Sequence, residues 1–391
     1  MERLSQSRNP EQREGSLPGM VRALISRGVD AGFELSDVEL GPTGPGQVRV
    51  AVRGAGVCHS DLSMVNGVLA PSFPLVLGHE AAGVVTEVGD GVSRVRAGDH
   101  VVLNWSPPCR ECWFCRQGEP WLCTTNEGVA SVPRGRLADG TETHVTLGVG
   151  GLAEEVLVGE NAVIPVPAEL PLAEAALLGC AVLTGVGAVR NTARVRQGES
   201  VAVVGLGGVG LSVILGARLA GAGRIVALDV NESKADLAKA AGATDFVVAD
   251  KSAPKTVRAM TEGRGADVAF ECVGRSAAIR TAWSSTRRGG RVITLGVGSR
   301  DDHVSFNGLE LYHFARTLSS SIYGTADPDV DVPELAKAVL DGRLDLGALI
   351  THRIRLEDAP EAFDRLAKGD GGRTLVVFDQ PGAGPSHGYG T

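Results

Sequence analysis

The first half of the chain alternates β-branched residues with turn formers. "GQVRVAVRGAG" (46–56) and "AAGVVTEVGDGVSRVRAGDHVVLNW" (81–105) carry the strand period, broken by Gly, Asp and Ser. Glycines around Val84, Val85 and Val88 predict a curved, barrel-like sheet. A strand is expected to start near Met20 and Val21. Near residue 189 the pattern changes. "VAVVGLGGVG" is a buried strand running into a Gly turn, and "VGLSVILGARLAGA" has helical spacing. "RIVALDV", "SKADLAKAAGA" and "DFVVAD" read as strand, helix and strand. "ADVAFECVG", "RVITLGVG" and "SSSIYG" supply three more strands. Strands alternating with helices of this length predict an α/β doubly wound parallel sheet over 189–330. Beyond it, "VPELAKAVLDGRL" reads as a helix, and the rest is mixed.

The ends are polar or Gly-rich. Segments 1–19 and 381–391 read as disordered tails, and the first has no apolar signal-peptide core. No run approaches the roughly 18 apolar residues of a membrane span. The chain of 391 residues is long enough for two domains, and its 53 glycines suit tight turns and close helix-on-sheet packing. A net charge of −8 argues against nucleic acid or anionic lipid as partners. The expected compartment is the cytoplasm, where the seven cysteines favour metal or catalysis over disulfides.

"GLGGVG" (Gly205, Leu206, Gly207, Gly208, Val209, Gly210) follows a strand and opens a helix. Asp229 ends the next strand, where a ribose-binding acid belongs. The pyrophosphate would sit on the helix N-terminus, where N–H groups are free. Asp229 would repel a 2′-phosphate, which favours NAD over NADP, and Lys234 is placed to help hold the ribose.

Cys109, Cys112, Cys115 and Cys123 crowd one short segment, "CRECWFCRQGEPWLC". Four thiolates form a closed tetrahedral shell for a structural Zn²⁺ and leave no position for chemistry. Cys58, in "GVCHSD", admits several readings: nucleophile, disulfide half, metal ligand or small core residue. Cys180 sits in a similar Gly-bounded turn, "LLGCAVLTG", and His79 lies between them in "GHEAAG". Together they would make a Cys₂His shell with one position open. Sequence spacing alone does not join them. Cys272, in the apolar run "AFECVG", reads as a core residue.

In combination these motifs resemble the zinc-dependent alcohol dehydrogenases of the medium-chain dehydrogenase/reductase family. The likeness covers roughly residues 20–380, with "GVCHSD", "GHEAAGVV", the four-Cys lobe, "LLGCAVLTG", "GLGGVG" and "GGRTLVVF" in family order. It implies a GroES-like β-rich catalytic domain (20–188 and 331–380, with the lobe at 105–125) and an inserted Rossmann domain (189–330). It implies a catalytic zinc on Cys58, His79 and Cys180, so two zinc ions per chain, with NAD as the hydride carrier.

By motif position, Asp61 would orient His79, Glu80 would assist ligand exchange and Ser60 would be the first proton acceptor. His59 and Arg373 would face the pyrophosphate. Thr184, Leu295, Gly296 and Val297 would pass the nicotinamide. Leu69, Trp105, Leu147 and Ile322 would line the alcohol pocket. One departure stands out: Ser63 occupies the place where several members carry a histidine that passes the proton to solvent. The implied reaction is reversible hydride transfer between a primary or secondary alcohol and NAD. Two alternatives are a thiol-adduct formaldehyde dehydrogenase of the same family and a non-catalytic zinc- and NAD-binding protein. The resemblance also implies a homodimer, since a long segment such as that between Cys123 and Gly151 accompanies dimeric family members.

Overall fold

A computed structural model describes residues 19–69, 71–126 and 131–378. Apart from Gly19, the expected tails at 1–19 and 381–391 lie outside these residues, as does part of the long segment after Cys123.

Three sheets carry the fold. Strands Met20–Ser26, Glu34–Glu39, Gly135–Leu137, Glu142–Val145 and Leu75–Val76 close into a small barrel. An open seven-stranded sheet runs in the order Val163–Pro165, His100–Leu103, Ala81–Val88, Gln47–Gly56, Arg373–Val377, Ile350–Ile354. In it Glu155–Gly159 also pairs with Gln47–Gly56. This corrects the expectation for Val84, Val85 and Val88: they belong to the open sheet and not to the barrel. Their glycine neighbour serves close approach. A Cβ on Gly83 would lie 2.2 Å from the Ala51 carbonyl oxygen of the paired strand.

The third sheet has six strands: Ser200–Val204, Arg224–Asp229, Asp245–Val248, Ala266–Glu271, Thr286–Thr294 and Thr317–Ser320. Counted along the chain, their order is third, second, first, fourth, fifth, sixth, and every pairing is parallel. That is the order of a dinucleotide-binding sheet, with its ligand crevice at the C-terminal ends of the first and fourth strands. The sixth strand stops at Ser320, so "SSSIYG" is strand only in its first two residues. Tyr323, Gly324 and Thr325 turn into the left-handed region, at φ 50°, 72° and 51°. The next helix, Pro328–Leu340, starts ahead of the expected Val332. Asp327 caps it, its side chain accepting from the Asp329 N–H at 3.2 Å, and Pro328 takes the first position, where no N–H is needed.

The last strands answer what periodicity left open. Ile350–Ile354 pairs with Arg373–Val377, which pairs antiparallel with Gln47–Gly56. The chain's end therefore completes the sheet begun by its first half. The main hydrophobic core joins the two halves. It runs from Val201, Val203 and Phe270 of the six-stranded sheet, through Val182 and Leu183, to Leu177 and Leu178.

Among the described residues no single helix is long and apolar enough to cross a membrane. One bent pair, Leu172–Gly179 with Ala181–Ala193, passes by length and composition. It lies in this core, with Leu177, Leu178, Ala181 and Val182 fully buried, and Cys180 sits at its bend.

Candidate active site

Three turns converge. Cys58 follows the strand Gln47–Gly56 in extended conformation and precedes the helix His59–Val65. His79 follows Gly78, whose φ of +93° and backbone contact with Leu152 exclude a side chain. Cys180 occupies the bend between Ala176–Gly179 and Ala181–Gly187. One ligand atom from each of the three lies within 4.8 Å of the others, and all three residues are buried.

His79 is oriented from behind. Its Nδ1 lies 3.1 Å from Asp61 Oδ2, while Asp61 Oδ1 accepts from the Gly78 N–H at 2.9 Å. Asp61 thus fixes both the ring and the turn that carries it. Nε2 is left fully buried with no hydrogen-bond partner among the described residues. Burial opposes a proton on His79, but Asp61 and Cys58 outweigh it and its pKa is raised well above the ordinary value. The Cys180 thiol donates toward Cys58, which lowers the Cys58 pKa against burial and raises that of Cys180; Arg373 and His79 lower Cys58 further. Two sulfurs competing for one proton beside an orphaned imidazole nitrogen fit a divalent metal, which would hold both as thiolates.

Ser60 and Trp105 flank this cluster. Ser60 Oγ lies 3.9 Å from Cys58 Sγ, and the Trp105 ring stands edge-on to His79 at 6.4 Å between centroids. Glu80 and Arg373 are committed to each other. Arg373 Nη2 lies 3.1 Å from Glu80 Oε2 and 3.5 Å from Cys58 Sγ, and Nη1 donates to the Val57 carbonyl. Burial, only partly offset by Arg373, pushes the Glu80 carboxyl up to about 7. Arg373 is buried, and its Nε has no hydrogen-bond partner among the described residues. Its guanidinium lies inside, against the glycine turn, where a Cβ on Gly208 would fall 2.2 Å from its Nε. Ser63 is buried within its helix, and its carbonyl accepts from the Leu69 N–H.

The four lobe sulfurs also lie within 4.8 Å of one another, and Cys112 Sγ is 3.9 Å from Cys123 Sγ. Tetrahedral bonds of about 2.3 Å place sulfurs about 3.8 Å apart. Backbone N–H groups of Glu111 and Cys112 point at Cys109 Sγ, and that of Cys109 at Cys123 Sγ. A hydrogen bond from Thr125, with those from Glu111 and Cys112, lowers the Cys109 thiol to about 6.

At the glycine loop, Gly205 takes φ +91°, and a Cβ on Gly210 would lie 1.8 Å from the Gly205 oxygen. Gly207 has nothing within 4 Å of that position and faces outward. The helix Gly208–Leu219 begins there without a side-chain cap, so its first N–H groups are available to an anion. Asp229 Oδ2 accepts from the Leu206 N–H at 2.7 Å, and Lys234 Nζ lies 3.5 Å from that oxygen. Thr184 sits one turn after Cys180, its N–H donating to the Cys180 carbonyl. The N–H groups of Leu295 and Gly296 donate to the Glu271 carbonyl, and Val297 is exposed beyond them. These groups fit a dinucleotide.

Of the expected pocket residues, Leu69, Trp105 and Leu147 pack against the core of the first half, and Ile322 is half exposed. Cys272 is partly buried and packs against the main core.

Two further residues have no signal in the sequence. Tyr323 is buried. Its hydroxyl donates to the Gly179 carbonyl at 2.6 Å, and its ring lies 4.4 Å from that of Trp105. Arg275 is exposed near His59. Burial lowers the His59 pKa and Cys58 opposes this, while Arg373 and Arg275 reinforce it. Arg373 and Arg275 thus both lie near His59.

Two family models match the chain: an alcohol dehydrogenase GroES-like domain over residues 44–168 and a zinc-binding dehydrogenase domain over 208–341. An S-(hydroxymethyl)glutathione dehydrogenase of Photobacterium damsela subsp. piscicida is 36% identical over 368 residues, covering 91% of this chain and 99% of its own length. Among solved structures, an alcohol dehydrogenase zinc-binding domain protein from Burkholderia ambifaria superposes with a TM-score of 0.87 at 30% identity, covering 92% of this chain and 99% of its own. A benzyl alcohol dehydrogenase from Acinetobacter calcoaceticus gives 0.85 at 26% identity, with the same coverage. The chain belongs to the zinc-dependent alcohol dehydrogenases of the medium-chain dehydrogenase/reductase family, and it is an oxidoreductase with a GroES-like domain and a Rossmann-type domain.

Proposed function

We propose that the chain is an NAD-linked alcohol dehydrogenase. Cys58, His79 and Cys180 would hold the catalytic zinc, and the four lobe cysteines a second, structural one. One observation carries this reading: Arg373 touches both Cys58 and the glycine turn, so the metal-type cluster and the dinucleotide cradle abut. Zinc bound at the three ligands supplies Lewis-acid polarisation of an alcohol or carbonyl oxygen. The chain's own residues do the rest. Asp61 keeps a proton on His79 Nδ1 and presents Nε2 as the ligand atom. Ser60, beside Cys58, takes the alcohol proton. With Ser63 in place of an imidazole, the proton must continue through a ribose hydroxyl, water or another group.

Arg373 and Glu80 form a buried pair whose positive member faces Cys58 and the phosphate cradle. Exposed Arg275 adds positive charge beside the neutral His59 imidazole. Thr184 and the Leu295–Val297 segment would hold the nicotinamide, and Leu69, Trp105, Leu147 and Ile322 would line the alcohol pocket.

A panel of primary and secondary alcohols with NAD, read by the appearance of reduced cofactor, tests this. No turnover of any member by metal-replete protein would sink it. The Photobacterium relative supports a second reading, oxidation of a formaldehyde–thiol adduct. Turnover of formaldehyde only when a low-molecular-weight thiol is present would select it.

Asp229 supports NAD over NADP, because both its oxygens keep a lone pair for ribose hydroxyls and its charge repels a 2′-phosphate. Asp229→Ser is expected to shift kcat/KM toward NADP by at least about tenfold, since it removes the repulsion. Unchanged cofactor preference would count against the assignment.

We also propose a cytoplasmic homodimer. The seven cysteines are unpaired. Strand Thr317–Ser320 is a sheet edge, and the adjacent helix Gly308–Phe314 buries none of its residues, leaving Leu309 and Tyr312 exposed. Sedimentation of the full chain as a monomer would contradict the dimer, and cell fractionation tests the compartment.

A further inference from the structure

The four-cysteine lobe has no open ligand position for chemistry, yet it is tied to the reaction pocket. Its Pro120–Leu122 turn lies against the Tyr323–Thr325 turn. Arg110, between two lobe cysteines, forks onto both carboxylate oxygens of Asp327 at 2.7 Å each and also reaches Asp329. Arg94 holds the other oxygen of Asp329. A lone exposed ion pair is worth little, but a bidentate fork joined to a second carboxylate and a second arginine makes a network. Asp327 and Asp329 open the helix Pro328–Leu340, directly after the turn.

That turn is strained. Tyr323 and Thr325 hold left-handed conformations that non-glycine residues seldom adopt, and they persist only where their surroundings over-determine them. On one side Thr192 Oγ1 lies 2.7 Å from both Ser321 Oγ and Thr325 Oγ1, and Asn191 donates to the Gly324 carbonyl. On the other side stand the lobe and Arg110. Tyr323 carries the geometry inward, to the Gly179 carbonyl beside Cys180 and to the Trp105 ring.

We infer that the lobe is a clamp: Arg110, through Asp327 and Asp329, holds the Tyr323–Thr325 turn in its strained form and so positions Trp105 and the Gly179–Cys180 bend. Arg110 is a positioning residue. Its kinetic consequence rests on the dehydrogenase reading above; its structural consequence does not.

Hydrogen–deuterium exchange on the metal-loaded full chain separates the two. Arg110→Leu should speed exchange in residues 321–327 at least about tenfold, with the strand 200–204 unchanged. KM for the alcohol should rise about 5- to 20-fold, with metal content and dinucleotide Kd unchanged. Arg110→Lys should restore part of both effects.

Asp329→Asn, outside the lobe, should reproduce them. The double variant Arg110→Leu/Asp329→Asn should add less than the sum of its parts, because both residues act through one ion-pair network. Unaltered exchange at 321–327 in both single variants would overturn the inference. So would opening of lobe and turn together in Asp329→Asn, or strict additivity in the double variant. Faster exchange at 321–327 with no alcohol turnover by the unaltered protein would uphold the clamp and defeat the dehydrogenase reading.

Discussion

Cys180→Ser is expected to lower alcohol oxidation at least about 1,000-fold, because Lewis-acid polarisation supplies several kcal/mol and each 1.4 kcal/mol is tenfold in rate. Serine nearly preserves the volume at the bend and leaves the surrounding core of Leu177, Leu178 and Val182 intact. It is, however, a poor ligand at neutral pH, and the remaining Cys58 and His79 form an incomplete set. Metal analysis should show the loss of one equivalent per chain while the lobe keeps its own. Circular dichroism should be unchanged. Full metal content with full activity would exclude Cys180 from the site. Loss of all metal would mean that the lobe and the cluster do not bind independently.

The second large effect is a contrast between neighbouring glycines. Gly210→Ala puts a Cβ 1.8 Å from the Gly205 carbonyl, so the helix must move away from the turn. Such overpacking costs ~1–3 kcal/mol in stability. Gly207→Ala meets nothing in the protein, and the extended backbone there accepts alanine without strain. It should melt at the temperature of the unaltered chain, yet weaken dinucleotide binding by about 10- to 100-fold, because its methyl occupies the face where the pyrophosphate approaches the backbone. Thermal melts and cofactor titration check both variants. Equal dinucleotide affinity in Gly207→Ala would mean that the phosphates bind elsewhere.

The parts of this molecule that could be read from sequence are those whose geometry is local. The four lobe cysteines lie within one short segment, so spacing alone implies a shared ion. The glycine turn and Asp229 belong to one strand–helix–strand unit, and the expected order of elements appears in the sheet. What depends on distant contacts was not legible. Cys58, His79 and Cys180 come from three separate turns, and only family resemblance joined them before the fold did. For Arg373 only the resemblance implied a place, facing the pyrophosphate, and nothing local in the sequence pointed to its burial. The pairing of its strand with Gln47–Gly56 carries it under the glycine turn, onto Glu80 and Cys58. The alternation at Val84 and Val85 is real, but which sheet closes is decided by partners elsewhere in the chain. Tyr323 follows a segment that reads as strand and still turns left-handed, because contacts from the lobe and from Thr192 and Asn191 override local preference.

The central claim is that the buried Cys58–His79–Cys180 cluster is a catalytic metal site beside a dinucleotide cradle. Its most direct test is stepwise return of cobalt(II) to metal-free protein, following thiolate-to-metal absorption and alcohol-dependent reduction of NAD in the same samples. The account predicts two equivalents bound per chain, with activity rising in proportion to occupancy of the Cys₂His site and absent when only the four-cysteine lobe is filled. Full activity with the lobe alone loaded, or with no metal at all, would contradict it.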